Sequence, residues 1–376
     1  MKKQGFRNWW RLPVAVPVAI VVVPALVWCG LWYWATGTAG SMMTSWRDHE
    51  AHAGRIYNCA TTTFGGFPFR FEVACGGPTV DDERAGLSVK ANRLRAVSEV
   101  LEPTVITGEI DAPVTIAPFG GAPAATMEFA GARANLRAMP GAERLAVAVD
   151  HPVLKAVASD AMLATADQIE LRGRFGGEAA GHPILDLEIE SHGTRAPGAV
   201  RDLGRFAPLA TDGTDVSAVA RLHGLSDLTL KPLPQQLKEI QAAGGRLEIT
   251  SARLQQGDLI IGAAGALSLT PRGTLSGDLQ LTVVDLSRLI SLLGIDRMLP
   301  KEVNRFAPAL DRLLPGLGNA LRGGVETEGI AEAGVAMLGG KPAEFEGRPA
   351  VTVPLHFNDG TAHIGPFRVG EIPPLY

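Results

Sequence analysis

GTLSGDLQLTVVD, residues 273–285, decides the fold. Leu279, Leu281 and Val283 fall on one side of an extended chain, and Asp278, Gln280 and Thr282 on the other. Side chains alternate with a period of two along a strand and 3.6 along a helix, so this stretch is a strand. One apolar and one polar side mark antiparallel pairing, with one face on a core and the other in water. ILDLEIES (184–191) repeats the pattern, with Leu185, Leu187 and Ile189 opposite Asp186, Glu188 and Glu190. Strands are read the same way over 87–97, 104–111, 125–138, 144–150, 168–175, 246–255, 259–270, 350–359 and 361–370. Their spacing predicts consecutive hairpins in a meander.

Helical stretches interrupt the series. LPQQLKEIQAAGG (233–245) has proline near its start and Gly-Gly at its stop, the usual asymmetry of helix ends. DLSRLISLLG (285–294) opens on an Asp cap and closes on glycine. KEVNRFAPALDRLLPGLGNAL (301–321) reads as a helix broken by Pro308 and Pro315, and 198–209 as a further turn.

The N-terminus differs from all of this. Lys2, Lys3, Arg7 and Arg11 precede residues 12–34, which carry no charge. At about 1.5 Å per residue such a helix crosses a hydrocarbon core of about 30 Å. Trp9 and Trp10 at one end, and Trp28, Trp32, Tyr33 and Trp34 at the other, match the aromatic belts of membrane interfaces. The basic flank is expected to stay in the cytoplasm, so the body is exported. In a bacterium this makes a single-pass inner-membrane protein with a periplasmic body. A cleaved signal peptide is the alternative, although its apolar stretch is shorter, about 7–15 residues.

The expected fold class is therefore mainly β (α+β): an N-terminal transmembrane helix, then a long curved antiparallel β-sheet meander with a few covering helices. The expected segments are a cytoplasmic N-terminus (1–11), the anchor (12–34), and periplasmic β-rich halves at 41–195 and 196–376. No break in composition forces the last boundary, so one continuous domain over the two halves is the alternative. Residues 41–56 read as a short polar helix leading from the membrane.

Export sets the reading of the cysteines. Cys29 lies in the apolar run; Cys59 and Cys75 lie beyond it, 16 positions apart. In an oxidising compartment such a pair most simply forms a disulfide. A Cys2His2 zinc set with His49 and His52 is arithmetically open, but His-x-x-His in a polar segment reads more simply as solvated helix surface, and no metal is expected. Between the cysteines, Gly65-Gly66 supplies a turn, and Phe67-Pro68-Phe69-Arg70-Phe71 starts a second strand whose alternate phenylalanines should pack on the body.

The composition and motifs also exclude functions. A net charge of −4 without a basic stripe argues against nucleic-acid binding. There is no G-x-S-x-G elbow, H-E-x-x-H, Walker loop or dinucleotide Gly-x-Gly-x-x-Gly. The eight histidines are scattered, although His356 and His363 flank the final turn and are placed to face each other. Asp81-Asp82-Glu83 reads as a solvated turn. No catalytic residue, enzyme activity or cofactor is expected.

Two motif groups resemble a known family. The first is Trp46, then Gly54-Arg55-x-Tyr57-x-Cys59, then Gly66-Phe67-Pro68-Phe69-Arg70, then Cys75. The second is Leu267-Ser-Leu-Thr-Pro-Arg-Gly273-Thr-Leu-Ser-Gly277-Asp-Leu, with Phe357-Asn-Asp359-Gly360-x5-Pro366 and Pro373-Pro374. Together they resemble the bacterial envelope family called domain of unknown function 2125. The second group is also similar to the C-terminal repeats of AsmA-like proteins. The first resemblance implies an inner-membrane protein with a periplasmic β-rich body and no assigned activity. The second implies a curved sheet whose apolar concave face holds acyl chains.

The expected function is thus a membrane-anchored module whose sheet face binds phospholipid or lipopolysaccharide acyl chains, with Leu267, Leu269, Leu279, Leu281 and Val283 as groove candidates. The alternative is a structural or assembly protein that contacts other envelope proteins and holds no ligand.

Overall fold

A computed structural model describes residues 12–139, 143–179, 181–199, 212–227, 232–285, 339–365 and 367–376. The helices read at 285–294 and 301–321 fall outside these residues apart from Asp285, and the turn read at 198–209 does so apart from its first two positions.

Helix α1 runs unbroken from Leu12 to His52. The reading of an anchor followed by a separate polar helix is thus corrected to one helix of 41 residues, about 61 Å long. Residues 35–45 contain no proline, and their hydroxyls bond back to the preceding turn: Thr36 Oγ1 donates to the Tyr33 carbonyl, Thr38 to Trp34 and Thr44 to Gly40. Among the described residues this is one helix long and apolar enough to cross a membrane.

Strands, numbered in chain order, form two antiparallel sheets among the described residues. The smaller sheet orders β1 (Arg55–Asn58), β4 (Thr79–Asp82), β5 (Leu87–Lys90), β8 (Val114–Pro118), β9 (Ala125–Glu128), β12 (Val153–Ala156) and β13 (Met162–Thr165). The larger begins with β2 (Thr61–Gly65), β3 (Arg70–Gly76), β6 (Arg93–Glu99), β7 (Glu102–Asp111), β10 (Gly131–Arg137) and β11 (Arg144–Asp150). It continues through β14 (Gln168–Ala179), β15 (His182–Thr194), β16 (Thr214–Leu222), β17 (Arg246–Gln256), β18 (Leu259–Leu269) and β19 (Leu275–Val284). It ends with β21 (Arg348–Asn358), β22 (Thr361–Ile364) and β23 (Phe367–Glu371), while β20 (Lys341–Phe345) pairs on β21. β15 and β16, on either side of residue 196, are hydrogen-bonded neighbours, so the sheet is continuous across that position.

The mainly β meander is present, but it is creased. Up to residue 168 the chain passes between the sheets through seven two-residue corners: 59–60, 77–78, 91–92, 112–113, 129–130, 151–152 and 166–167. Backbone hydrogen bonds lace the crease, among them Gly77 N to the Asn92 carbonyl and His151 N to the Asp167 carbonyl, both 2.9 Å. The stretches 87–97 and 125–138, read as single strands, are corrected: each bends at a corner and places its halves in different sheets. Asp81 and Asp82 lie in strand β4 rather than in a turn, where Asp81 accepts from Ser88 Oγ and Asp82 from the Ala85 amide.

Helix α2 (Leu233–Ala242) forms where proline and Gly-Gly predict it and buries Ile240. At Gly277, φ is +142° and an added Cβ would stand 2.3 Å from the Ala266 carbonyl oxygen, so only glycine allows this approach of β18 and β19.

Candidate functional site

The register makes the larger sheet's two faces chemically distinct over nearly its full width. Three cross-strand rows carry the apolar face. The row nearest the crease passes through Leu94, Ile110, Ala132, Val149 and Ile169, and reaches Ile261, Val283 and Val351. The middle row starts with Phe64 and Val73, passes through the small residues Ala96, Gly108 and Ala134, and ends with Leu281 and Val353. The outer row runs through Ile106, Leu136, Leu145, Gly173 and Leu187 to Leu279 and Leu355. Large side chains of the two flanking rows thus border the small stretch Ala96, Gly108 and Ala134, which leaves a hollow between the borders.

The hollow is open to solvent along part of its length. Ile106, Leu136, Leu145 and Ile189 are exposed by 37–41% despite standing on the apolar face. The five groove candidates lie at the far end of the same face. Leu279 and Val283 are buried, and Leu281, like Val351 and Leu355, packs against the buried pair Val353 and Ile364. Leu267 stands opposite Gly277, and Leu269 opposite Leu275.

The opposite face carries charge ladders. Arg95 meets Glu72 through two hydrogen bonds of 2.7 and 2.9 Å. Arg174 and Arg221 flank Asp186 at 2.8 and 3.1 Å. Burial alone would raise the Asp186 carboxyl, but hydrogen bonds from Arg174 and Arg221 outweigh it and hold the group below its ordinary value. Hydrogen bonding from Arg95 likewise lowers Glu72. His356 and His363 are cross-strand partners, as their spacing predicts, and His356 contacts Asp278. Among the described residues there is no group of three or more His, Cys, Asp or Glu placed to hold a metal ion.

At the anchor end, the hollow becomes a partly enclosed cavity of about 440 Å³. Its floor is the larger sheet, through Phe71, Val73, Cys75, Leu94, Ala96 and Ile106. Tyr57 and Val80 of the smaller sheet form its far wall, and Met43 and Trp46 of α1 its roof. Trp46 and Tyr57 are in ring contact at 4.7 Å, and burial pushes the Tyr57 phenol up.

The disulfide is part of the same wall. Cys59 and Cys75 are bonded, with their Cα atoms 5.4 Å apart. Cys59 lies in the first corner of the crease and Cys75, 3% exposed, on β3, so the bond ties the corner to the larger sheet. Gly65 closes the β2–β3 pairing opposite Glu72, and Gly66 turns the chain at φ +91°, where a Cβ would stand 2.5 Å from the Arg70 carbonyl oxygen. Pro68 lies in the turn, and the second strand starts only at Arg70. The expected packing of all three phenylalanines on the body is corrected. Phe71 stacks on Trp32 at 6.1 Å and Phe67 meets the same ring edge-on at 5.3 Å, but Phe69 is 73% exposed.

The comparison with family models bears on this region. A model described as "uncharacterized protein conserved in bacteria", domain of unknown function 2125 (DUF2125), matches residues 32–373. The chain belongs to the DUF2125 family. No curated protein matches it. Of the residues by which the sequence resembles the DUF2125 family, Trp46, Tyr57, Cys59 and Cys75 all line the cavity. Nothing in the spacing of these four announces a shared wall, because α1, β1, the first corner and β3 contribute one each.

Proposed function

We propose that this protein is a membrane-anchored, non-catalytic lipid-binding module, with α1 in the bacterial inner membrane and the β body in the periplasm. The cavity takes an acyl chain of a phospholipid or lipopolysaccharide, and the open trough beyond it accommodates the remainder of the lipid. The observation that carries this reading is the apolar cavity of about 440 Å³ at the anchor end. At about 30 Å³ for a group the size of water or a methylene, it holds on the order of fifteen such groups. Each buried methylene contributes about 0.8 kcal/mol, so a chain can be retained without a charged contact. The similarity of 267–279 to AsmA-like repeats supports the same reading.

Native mass spectrometry of the full chain, released from mild detergent, tests it. Copurifying lipid near one molecule per chain is expected. Ligand-free protein, together with a stoichiometric envelope protein on crosslinking, would instead favour the assembly role.

A further inference from the structure

Two turns at the free edge of the larger sheet lie beside the apolar part of α1. The β2–β3 turn presents Phe67, Pro68 and Phe69, and the β6–β7 turn presents Val100 and Leu101. Trp28 Nε1 donates to the Pro68 carbonyl at 2.9 Å, and Trp32 Nε1 to the Arg70 carbonyl at 3.4 Å. A cleft of about 820 Å³ lies between the turns and the helix, lined on the α1 side by Pro24, Ala25, Trp28 and Cys29. The turns therefore stand level with residues 24–32, inside the uncharged run rather than beyond it.

Their exposure is wrong for water. Leu101 is 89% exposed, Phe69 73% and Phe67 49%. Leaving such side chains in water forgoes about 1.5–3 kcal/mol each, and hairpin tips have no need of them. Along the helix, Trp28 lies six residues before Trp34, about 9 Å at 1.5 Å per residue. Taking Trp32, Tyr33 and Trp34 as the interfacial belt, the tips reach the depth of about 5–10 Å at which interfacial side chains enter the headgroup–acyl boundary.

The cleft and the anchor-end cavity share no lining residue, and Trp32 stands between them, edge-on to Phe67 of the cleft and stacked on Phe71 of the cavity. Phe71 lines the anchor-end cavity with one face of its surroundings and stacks against Trp32, which is 9% exposed. The Trp32–Phe71 pair thus lies between a space at membrane level and a partly open space in the body.

We propose that the β2–β3 and β6–β7 turns dock into the body-side leaflet of the membrane that α1 crosses, which makes the cleft a lateral portal from the bilayer to the cavity. The docking rests on α1 as a membrane span; the portal rests also on the cavity as a lipid site. Phe69 and Leu101 enter the leaflet, Arg70 at the start of β3 stays at phosphate level, and an acyl chain enters between α1 and the turns.

The test uses the full chain with Cys29→Ser, its disulfide intact, in phosphatidylcholine–phosphatidylglycerol vesicles. Single cysteines at Leu101→Cys, Ile20→Cys and Ser159→Cys carry an environment-sensitive NBD label. Ser159 lies in the β12–β13 turn, at the opposite side of the crease. Labels at 20 and 101 should emit in the blue and be quenched by nitroxide on the lipid chains, that at 101 more strongly by a shallow nitroxide than by a deep one. The label at 159 should emit as in water. A buried label at 20 with a water-exposed label at 101 overturns the docking alone. A water-exposed label at 20 overturns the span and the docking with it. The portal is read separately, from uptake of a pyrene-labelled phospholipid out of donor vesicles: Phe69→Asp with Leu101→Asp should slow it about tenfold or more at unchanged final occupancy. An unchanged rate overturns the portal, and absent uptake by the parent protein overturns the lipid site while leaving the docking result standing.

Discussion

Ala96→Phe puts the lipid-binding reading at most direct risk. Ala96 stands in the middle row of the floor, between Val73 and Gly108, and lines the cavity. A phenyl ring there adds six ring carbons to a space of about 440 Å³. Allowing about 30 Å³ per group, it displaces about five or six methylenes of a bound chain. At about 0.8 kcal/mol each, binding should weaken by about 4 kcal/mol, close to a thousandfold. The ring fills empty volume, so the folded protein should lose less than the about 1–3 kcal/mol typical of overpacking. The assay is displacement of a pyrene-labelled acyl chain, read by energy transfer from tryptophan, since Trp46 forms the cavity roof. Melting of both proteins by circular dichroism controls for misfolding. Equal affinity and equal stoichiometry in a well-folded Ala96→Phe protein would refute the assignment of the cavity as the site.

Other perturbations probe the supports of the site. Cys59→Ser opens a loop closed across 16 positions, which the chain-entropy relation values at about 3 kcal/mol, and it leaves Cys75 as a small buried apolar group. The melting temperature should fall by about 5–10 °C, and unchanged melting, or two titratable thiols in the native parent, would contradict the clip. Gly66→Ala forces a Cβ against the Arg70 carbonyl at positive φ, and should cost about 1–3 kcal/mol in chemical denaturation. Asp186→Asn removes the counter-charge of Arg174 and Arg221, at a cost of about 1 kcal/mol. Because the folded Asp186 carboxyl titrates below its ordinary value of 3.8, its contribution is complete above that value. It is lost as pH falls through the lowered folded value, so the parent and Asp186→Asn should converge in stability only below about pH 4; a difference already gone at pH 5 would contradict the pairing.

The large sheet was legible because its strands are long enough to show their period. β15 and β19 run 13 and 10 residues, and each displays several apolar–polar alternations. The smaller sheet was not legible, for a physical reason. Its strands run four or five residues, too short for alternation to rise above chance, and they join long strands through corners of only two residues. Ala91-Asn92 contains neither glycine nor proline, so nothing breaks the apparent strand 87–97; in 125–138 the one signal is Gly131, directly after the corner Phe129-Ala130. The cavity was hidden by the same crease. Alternation identifies which face is apolar, but hollowness depends on what stands opposite, and here that is α1 and strands the pattern did not register. The candidates at Leu267–Val283 lie on the right face at its far end, whereas the small residues of the floor, Ala96, Gly108 and Ala134, lie near the anchor.

The crease also accounts for where a cavity can exist. A wide sheet with one apolar face must cover it, and this chain begins by folding each strand back across it. That cover ends with β13, at residue 165, and the next two strands of the larger sheet are its longest, at 12 and 13 residues. At the other end the cover begins with β1, which spans only four residues and is the outermost strand of the smaller sheet. The space beside it is bounded by a helix, through Met43 and Trp46, rather than by another strand. A helix about 10 Å across does not interdigitate with a pleated face as a second sheet does. The hollow therefore follows from setting a rod against a sheet, and the rod is the same one that is apolar enough to cross the membrane. Shortening that contact should collapse or flood the space: Trp46→Ala ought to weaken acyl-chain binding while leaving the charge ladders of the opposite face, and the disulfide, intact.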